Sequence, residues 1–157
     1  MTNPTNHAPR SVRGNLPVTN LYTAGVAGEK FFRALQKDGA LLGTRCNACN
    51  VSFLPARHFC ERCFARLEEY VAAGDTGTVA TFTVCHRDLD DRPVAEPVTV
   101  AFIRYEGFEG GLVHRLAGIE PAKVRIGLRV EPVLADAKKR TGGINDILHF
   151  KPAGRGR

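Results

Sequence analysis

RCNACNVSFLPARHFCERC, residues 45–63, holds four of the five cysteines of a 157-residue chain. They form two Cys-x-x-Cys pairs, Cys46/Cys49 and Cys60/Cys63, with ten residues between them. A Cys-x-x-Cys pair at the tip of a turn presents two sulfurs to one point. Two such tips joined by strand can face each other and complete a tetrahedron, the arrangement zinc takes from four thiolates. Binding deprotonates the sulfurs and orders a segment with too little apolar surface to fold alone. Cys46, Cys49, Cys60 and Cys63 are therefore the expected ligands of a structural Zn²⁺. Iron bound by four thiolates uses the same turns and is the main alternative metal. A dithiol redox pair is the weaker reading, because two pairs at this spacing are explained better together than apart.

The residues after each pair differ. Asn50 follows Cys49 and tolerates the left-handed backbone that glycine usually supplies there. Phe64 follows Cys63 and is a poor choice for it, so the second tip is expected to be distorted or its turn shifted. His58 is read as ordinary strand surface, since four cysteines already saturate the metal.

Outward from this stretch, the chain reads as globular, with 43% hydrophobic and 24% charged residues. No apolar run approaches the roughly 20 residues that span a bilayer, and the N-terminus lacks the apolar core of a secretory signal. The expected location is the cytoplasm, where thiols stay reduced. Net charge is +6, with nine Lys/Arg against five Asp/Glu in residues 1–70 and thirteen against eleven in 71–157. A mild basic surplus suits an anionic partner, or simply a solvated surface.

Residues 1–24 carry Pro4, Pro9 and Pro17 without helical or strand period and read as a flexible arm. Residues 25–39 read as a short amphipathic helix, with Ala27, Phe31, Ala34 and Leu35 on one face and Gly39 as its stop. Adjacent Phe31 and Phe32 cannot both enter one small core, so one is expected either to face a partner or to pack against a neighbouring module. Residues 51–57 and 67–72 read as strands within a unit spanning 25–73. From residue 74 the pattern changes. Residues 78–87, 97–105, 111–118, 128–135 and 145–150 are rich in Val, Thr, Ile and Phe and read as five strands. Residues 119–127 leave room for one helical turn starting at Pro121. Five strands with a short helix between the third and fourth match a small closed barrel of the OB type over 74–152. Residues 153–157 form a basic tail. The fold class expected is mainly β: a leading helix and zinc ribbon, then a five-stranded OB-fold.

Other candidate chemistry is thin. Cys85 stands alone in the first barrel strand, and its neighbour His86 faces the opposite way, so a buried structural cysteine is expected. His114 and His149 carry no mark of a catalytic base. Asp88, Asp90 and Asp91 read as a solvated turn, since no cation-loop signature follows.

Together these features resemble the DUF35 family, in which a rubredoxin-like zinc ribbon precedes an OB-fold. The resemblance rests on Phe31/Phe32, Leu35 and Gly39; RCNAC at 45–49; LPARHFCERC at 54–63; Gly74 and GTV at 77–79; TFTV at 81–84; IGLRVEPV at 126–133; and FKP at 150–152. Departures are Asn50, Phe64 and Ala56. The resemblance implies an accessory subunit, hetero-oligomeric with a thiolase-fold catalytic subunit that carries the catalytic residues. It implies coenzyme A or acyl-CoA shared with that partner, in a ketothiolase of aromatic or steroid breakdown, a synthase assembly or a retro-aldolase. Arg45, Arg57 and Lys151 occupy family-like positions and are the candidates for the coenzyme A phosphates. No catalytic residue is expected on this chain.

A zinc-ribbon and OB-fold protein that binds single-stranded nucleic acid is the rival reading. It wants a basic groove interleaved with exposed aromatics. Here the aromatics mostly alternate within strands, as core residues do, and the acids at 88–91 interrupt an anionic track.

Overall fold

The computed structural model describes residues 22–88 and 90–154. Most of the expected arm, and residues 155–157 of the tail, lie outside that range. Along the chain come α1 (Gly25–Asp38), β1 (Leu42–Cys46), β2 (Val51–Leu54), β3 (Glu69–Ala72), β4 (Gly77–Arg87), β5 (Pro93–Arg104), β6 (Phe108–Gly110), β7 (Leu112–Leu116), β8 (Arg129–Leu134) and β9 (Ile147–Pro152). Short 3₁₀ turns occupy Pro121–Lys123, Ala137–Lys139 and Ile144–Asp146. The fold is mainly β, with one leading helix, as the sequence implied.

The helix forms where its apolar period is strongest. Ala27, Phe31 and Leu35 are buried on one face. Gly39 ends it at φ 68°, donating its backbone N–H back to the Leu35 carbonyl at 3.1 Å. Phe31 enters the core, while Phe32 packs half-buried at its margin with the two rings edge-to-face. Of the two expectations for the second phenylalanine, packing within the chain is the one met: Phe32 is not a free partner anchor.

Two sheets follow. The ribbon sheet runs β3-β1-β2-β6, and the second sheet is a closed barrel in the order β4-β5-β7-β9-β8. β8 returns to β4 at Gly77 and Thr78, and β7 meets β9 in parallel at Leu116 and Phe150. That order, with one parallel pair closing the barrel, is the OB arrangement. The helical turn expected at Pro121 is present as the 3₁₀ segment between β7 and β8, with Pro121 at its start. Val79, Ala101, Ile103, Leu112, Leu116, Val130, Ile147 and Phe150 fill the barrel. They join Phe31, Leu35, Leu41 and Leu54 in one core that spans helix, ribbon base and barrel.

β6 binds the two sheets together. It lies in the connection from β5 to β7, yet it pairs in parallel with β2, Ser52 opposite Phe108 and Leu54 opposite Gly110. Arg140 adds a second tie. Its Nε donates to the Ala135 carbonyl at 2.9 Å, and the Gln36 amide on α1 donates to the Arg140 carbonyl at 3.1 Å.

The β4–β5 hairpin outgrows the barrel. β7 reaches β5 only from Thr99 onward, so Pro93–Val98 keeps an edge that β7 does not cover, where Pro97 withholds no needed N–H. Cys85 lies in this projecting part and is half-buried, correcting the expectation of a buried cysteine. At the hairpin tip, Asp88 Oδ1 accepts from the backbone N–H groups of Asp90 and Arg92, both at 2.9 Å. These exposed acids form a turn, as read from the sequence.

Candidate metal centre

β1 delivers Cys46 as its last residue, and the turn after it brings Cys49 back over the same point. β2 then runs away antiparallel to β1 and stops at Leu54, because Pro55 has no N–H for the ladder. The expected strand 51–57 is shortened for that reason, and His58 lies in the following loop rather than on strand surface. Buried Thr44 holds the loop in place. Its hydroxyl accepts from the Arg57 N–H at 2.9 Å and donates to the Arg57 carbonyl at 3.1 Å. The chain then turns through Cys60–Cys63 and returns toward β3.

The four sulfurs converge. All lie within 4.8 Å of one another, with Cys46 to Cys63 at 3.6 Å and Cys60 to Cys49 at 3.9 Å. Four sulfurs about 2.3 Å from a central tetrahedral ion stand about 3.8 Å apart, so the cluster has the dimensions of a zinc-thiolate site. Those separations are far beyond a disulfide bond, and all five cysteines are free. The four thiols crowd one another. Cys49 is pushed up to about 12, first by sharing a hydrogen bond with Cys63 and then by burial. Cys60 moves down to about 7: burial opposes this, but the backbone N–H groups of Cys63 and Arg62 turn toward its sulfur and prevail. A divalent ion held by Cys46, Cys49, Cys60 and Cys63 would supply the positive charge that lets all four ionise.

Both tips close on a residue in the left-handed region. Asn50 has φ 52° and Phe64 has φ 59°, so the expected distortion of the second tip does not occur. The Phe64 N–H instead completes the turn on the Cys60 carbonyl at 2.9 Å. A bulky side chain in this region carries strain of order 1–3 kcal/mol. A small core of Cys46, Phe53, Cys60 and Leu67 lies under the sulfurs, distinct from the main one. His58 is half-buried beside Phe59, its Nδ1 enclosed without a hydrogen-bond partner among the described residues.

The three basic candidates stand apart. Arg45 is exposed on β1 and donates to Asn50 Oδ1 at 2.7 Å. It borders a cavity of about 330 Å³ with Ser52, Gly107, Phe108 and Glu109, but without Arg57 or Lys151. Arg57 pairs with Glu61 and lays its guanidinium 4.8 Å from the Phe53 ring centre. Lys151 is on β9 in the barrel, 3.2 Å from Glu131. The sequence reading missed β6 and with it Arg62, which reaches Glu109 on that strand. The signal for β6 was a lone Phe-Glu pair among glycines, too short to count as a strand by pattern.

Comparison with known proteins agrees with this architecture. A family model described as the ChsH2 rubredoxin-like zinc ribbon domain matches residues 34–68. A second, the ChsH2 C-terminal OB-fold domain, matches 70–135. Among solved structures, a DUF35-family protein of unknown function from Sulfolobus solfataricus is 30% identical, over 82% of this chain and 87% of that one, with a TM-score of 0.66. A chain of the Ltp2-ChsH2(DUF35) aldolase is 28% identical, over 87% of this chain and 98% of that one, with a TM-score of 0.59. With its zinc ribbon, its OB barrel and this likeness along most of its length, the chain belongs to the DUF35 family.

Proposed function

We propose that this chain is a zinc-stabilised accessory subunit of an acyl-CoA enzyme, hetero-oligomeric with a catalytic partner of thiolase fold. The observation that carries the reading is the solved relative whose name joins a DUF35 chain to a second component, Ltp2, in an aldolase. This chain matches 98% of that relative's length, so the resemblance reaches both modules. The zinc is structural: Cys46, Cys49, Cys60 and Cys63 would hold it, and with four protein sulfurs no ligand position remains open for substrate. Coenzyme A or an acyl-CoA would be bound jointly with the partner. Arg45, Arg57 and Lys151 are our candidates for its phosphates, reaching it from separate positions. A cytoplasmic setting suits the free thiols.

Purification of the tagged full-length chain from its native cells tests the proposal. A stoichiometric thiolase-fold subunit is expected, together with acyl-CoA turnover by the complex and none by the isolated chain. Thiolase or aldolase turnover by the isolated chain would refute the accessory role. So would a stoichiometric ribosomal or polymerase partner.

A further inference from the structure

Both knuckles close on a left-handed residue but present different side chains. Asn50 turns its amide to Arg45, a partner within the ribbon. Among the described residues Phe64 has no such partner. The residue is 78% exposed, and it takes no part in the small core under the sulfurs. Glycine would hold φ 59° without a Cβ penalty, and asparagine already does so at the other tip. Neither the turn nor the core therefore accounts for a phenylalanine here. A second ring stands close by. Phe59 is 55% exposed on the short bridge to Arg66, beside the same Cys60–Cys63 turn.

The charges around these rings are matched within the chain. Arg62 pairs with Glu109, and Arg66 with Glu68. A phosphate backbone or an anionic lipid surface is recognised by cations that face it freely. Here both of these guanidiniums already meet a carboxylate, which leaves the two aromatic side chains beside paired charges. Large aromatics ringed by polar groups are how interface hot spots are built, each ring filling an apolar pocket on a protein partner.

We propose that Phe64, supported by Phe59, anchors the second knuckle in an apolar pocket of the catalytic subunit. This inference rests on the accessory role proposed above and assigns that role a face and two residues. The metal-clamped turn holds Phe64 in place before binding, so little freedom is lost on docking.

Isothermal titration tests it. The probe is the thiolase-fold polypeptide recovered with the full-length chain, then purified separately. Phe64→Gly relieves the left-handed strain, and Phe64→Asn copies the first knuckle. Both are expected to keep their metal and melt no lower than the wild type. Both should bind the partner about tenfold or more weakly, with Phe59→Ser weakening it further in combination. Val113→Ser, which removes an exposed apolar side chain from the barrel, should leave binding unchanged. Wild-type affinity in both Phe64 variants overturns the inference and leaves the accessory role standing. Loss of binding in Val113→Ser alone does the same and moves the interface to the barrel. A wild-type chain that forms no complex with any thiolase-fold protein defeats both proposals. Phe64-dependent binding to anionic vesicles or single-stranded oligonucleotide, without partner binding, overturns the choice of a protein pocket.

Discussion

Asp146 shows how much one side chain can organise. It is only 3% exposed, yet its surroundings favour the carboxylate. Burial alone would raise its pKa. The backbone N–H groups of Thr141 and Gly142, both at 2.8 Å, and the Thr141 hydroxyl outweigh that and hold it below the usual carboxylate range. These bonds fold the segment leading into β9 against Ala135, whose N–H reaches the Asp146 carbonyl at 2.8 Å. A carboxylate whose pKa is lower folded than unfolded stabilises the protein above its unfolded pKa. That contribution disappears as pH falls through the folded value. Asp146→Asn turns an amide N–H toward donors and should cost about 1–3 kcal/mol at pH 7. Urea unfolding of both proteins should show this gap intact at neutral pH and narrowing below about pH 3.9, as wild-type Asp146 gains its proton. A gap that stays constant down to pH 3, or widens there, contradicts the assignment.

At the scale of elements, what could be read from the chain depended on how local each element's cause is. The five barrel strands carry their own alternation of Val, Thr, Ile and Phe, and α1 carries its period and its Gly39 stop. The four sulfurs were legible for a similar reason, since both Cys-x-x-Cys turns close locally. β1 was not read as a strand, because Leu-Gly-Thr-Arg-Cys has little strand preference. It is made a strand by β2 and β3 on its two edges. β6 was invisible because its cause is a parallel partner more than fifty residues upstream. The exposed Phe64 was misjudged, because local preference ranks conformations and cannot report what a side chain is kept for. Gly43 shows how tightly β6 is seated. A Cβ added there would strike the Phe108 ring and the Phe53 carbonyl oxygen. Gly43→Ala should therefore destabilise the protein by about 1–3 kcal/mol. Phe108→Leu in the same chain should recover part of that loss, because the smaller side chain frees room on β6. Strict additivity of the two substitutions in a double-mutant cycle would show that Gly43 and Phe108 are not in contact.

At the scale of the molecule, the two cores divide the work unequally. The larger one runs without a break from α1 through Leu41, Leu54 and Ala56 at the ribbon base into the barrel. The smaller one has four buried residues under the sulfurs, two of which are cysteines. Without a metal, that smaller core has little apolar area to set against the conformational entropy of ordering both knuckles. The larger core contains no sulfur ligand. Removing the metal should therefore melt the knuckles and leave helix and barrel folded, unlike a small zinc finger, which unfolds whole. Chelation under reducing conditions, followed by amide exchange, is the measurement. Protection should collapse in the two knuckles, Cys46–Asn50 and Cys60–Leu67, and persist in β4, β5 and β7. If the accessory role holds, partner binding should fall with it, since Phe64 is presented by the Cys60–Cys63 turn. Simultaneous loss of protection in barrel and ribbon would mean that the metal supports the whole fold. Full protection in both would mean that the sulfur cluster contributes nothing to it.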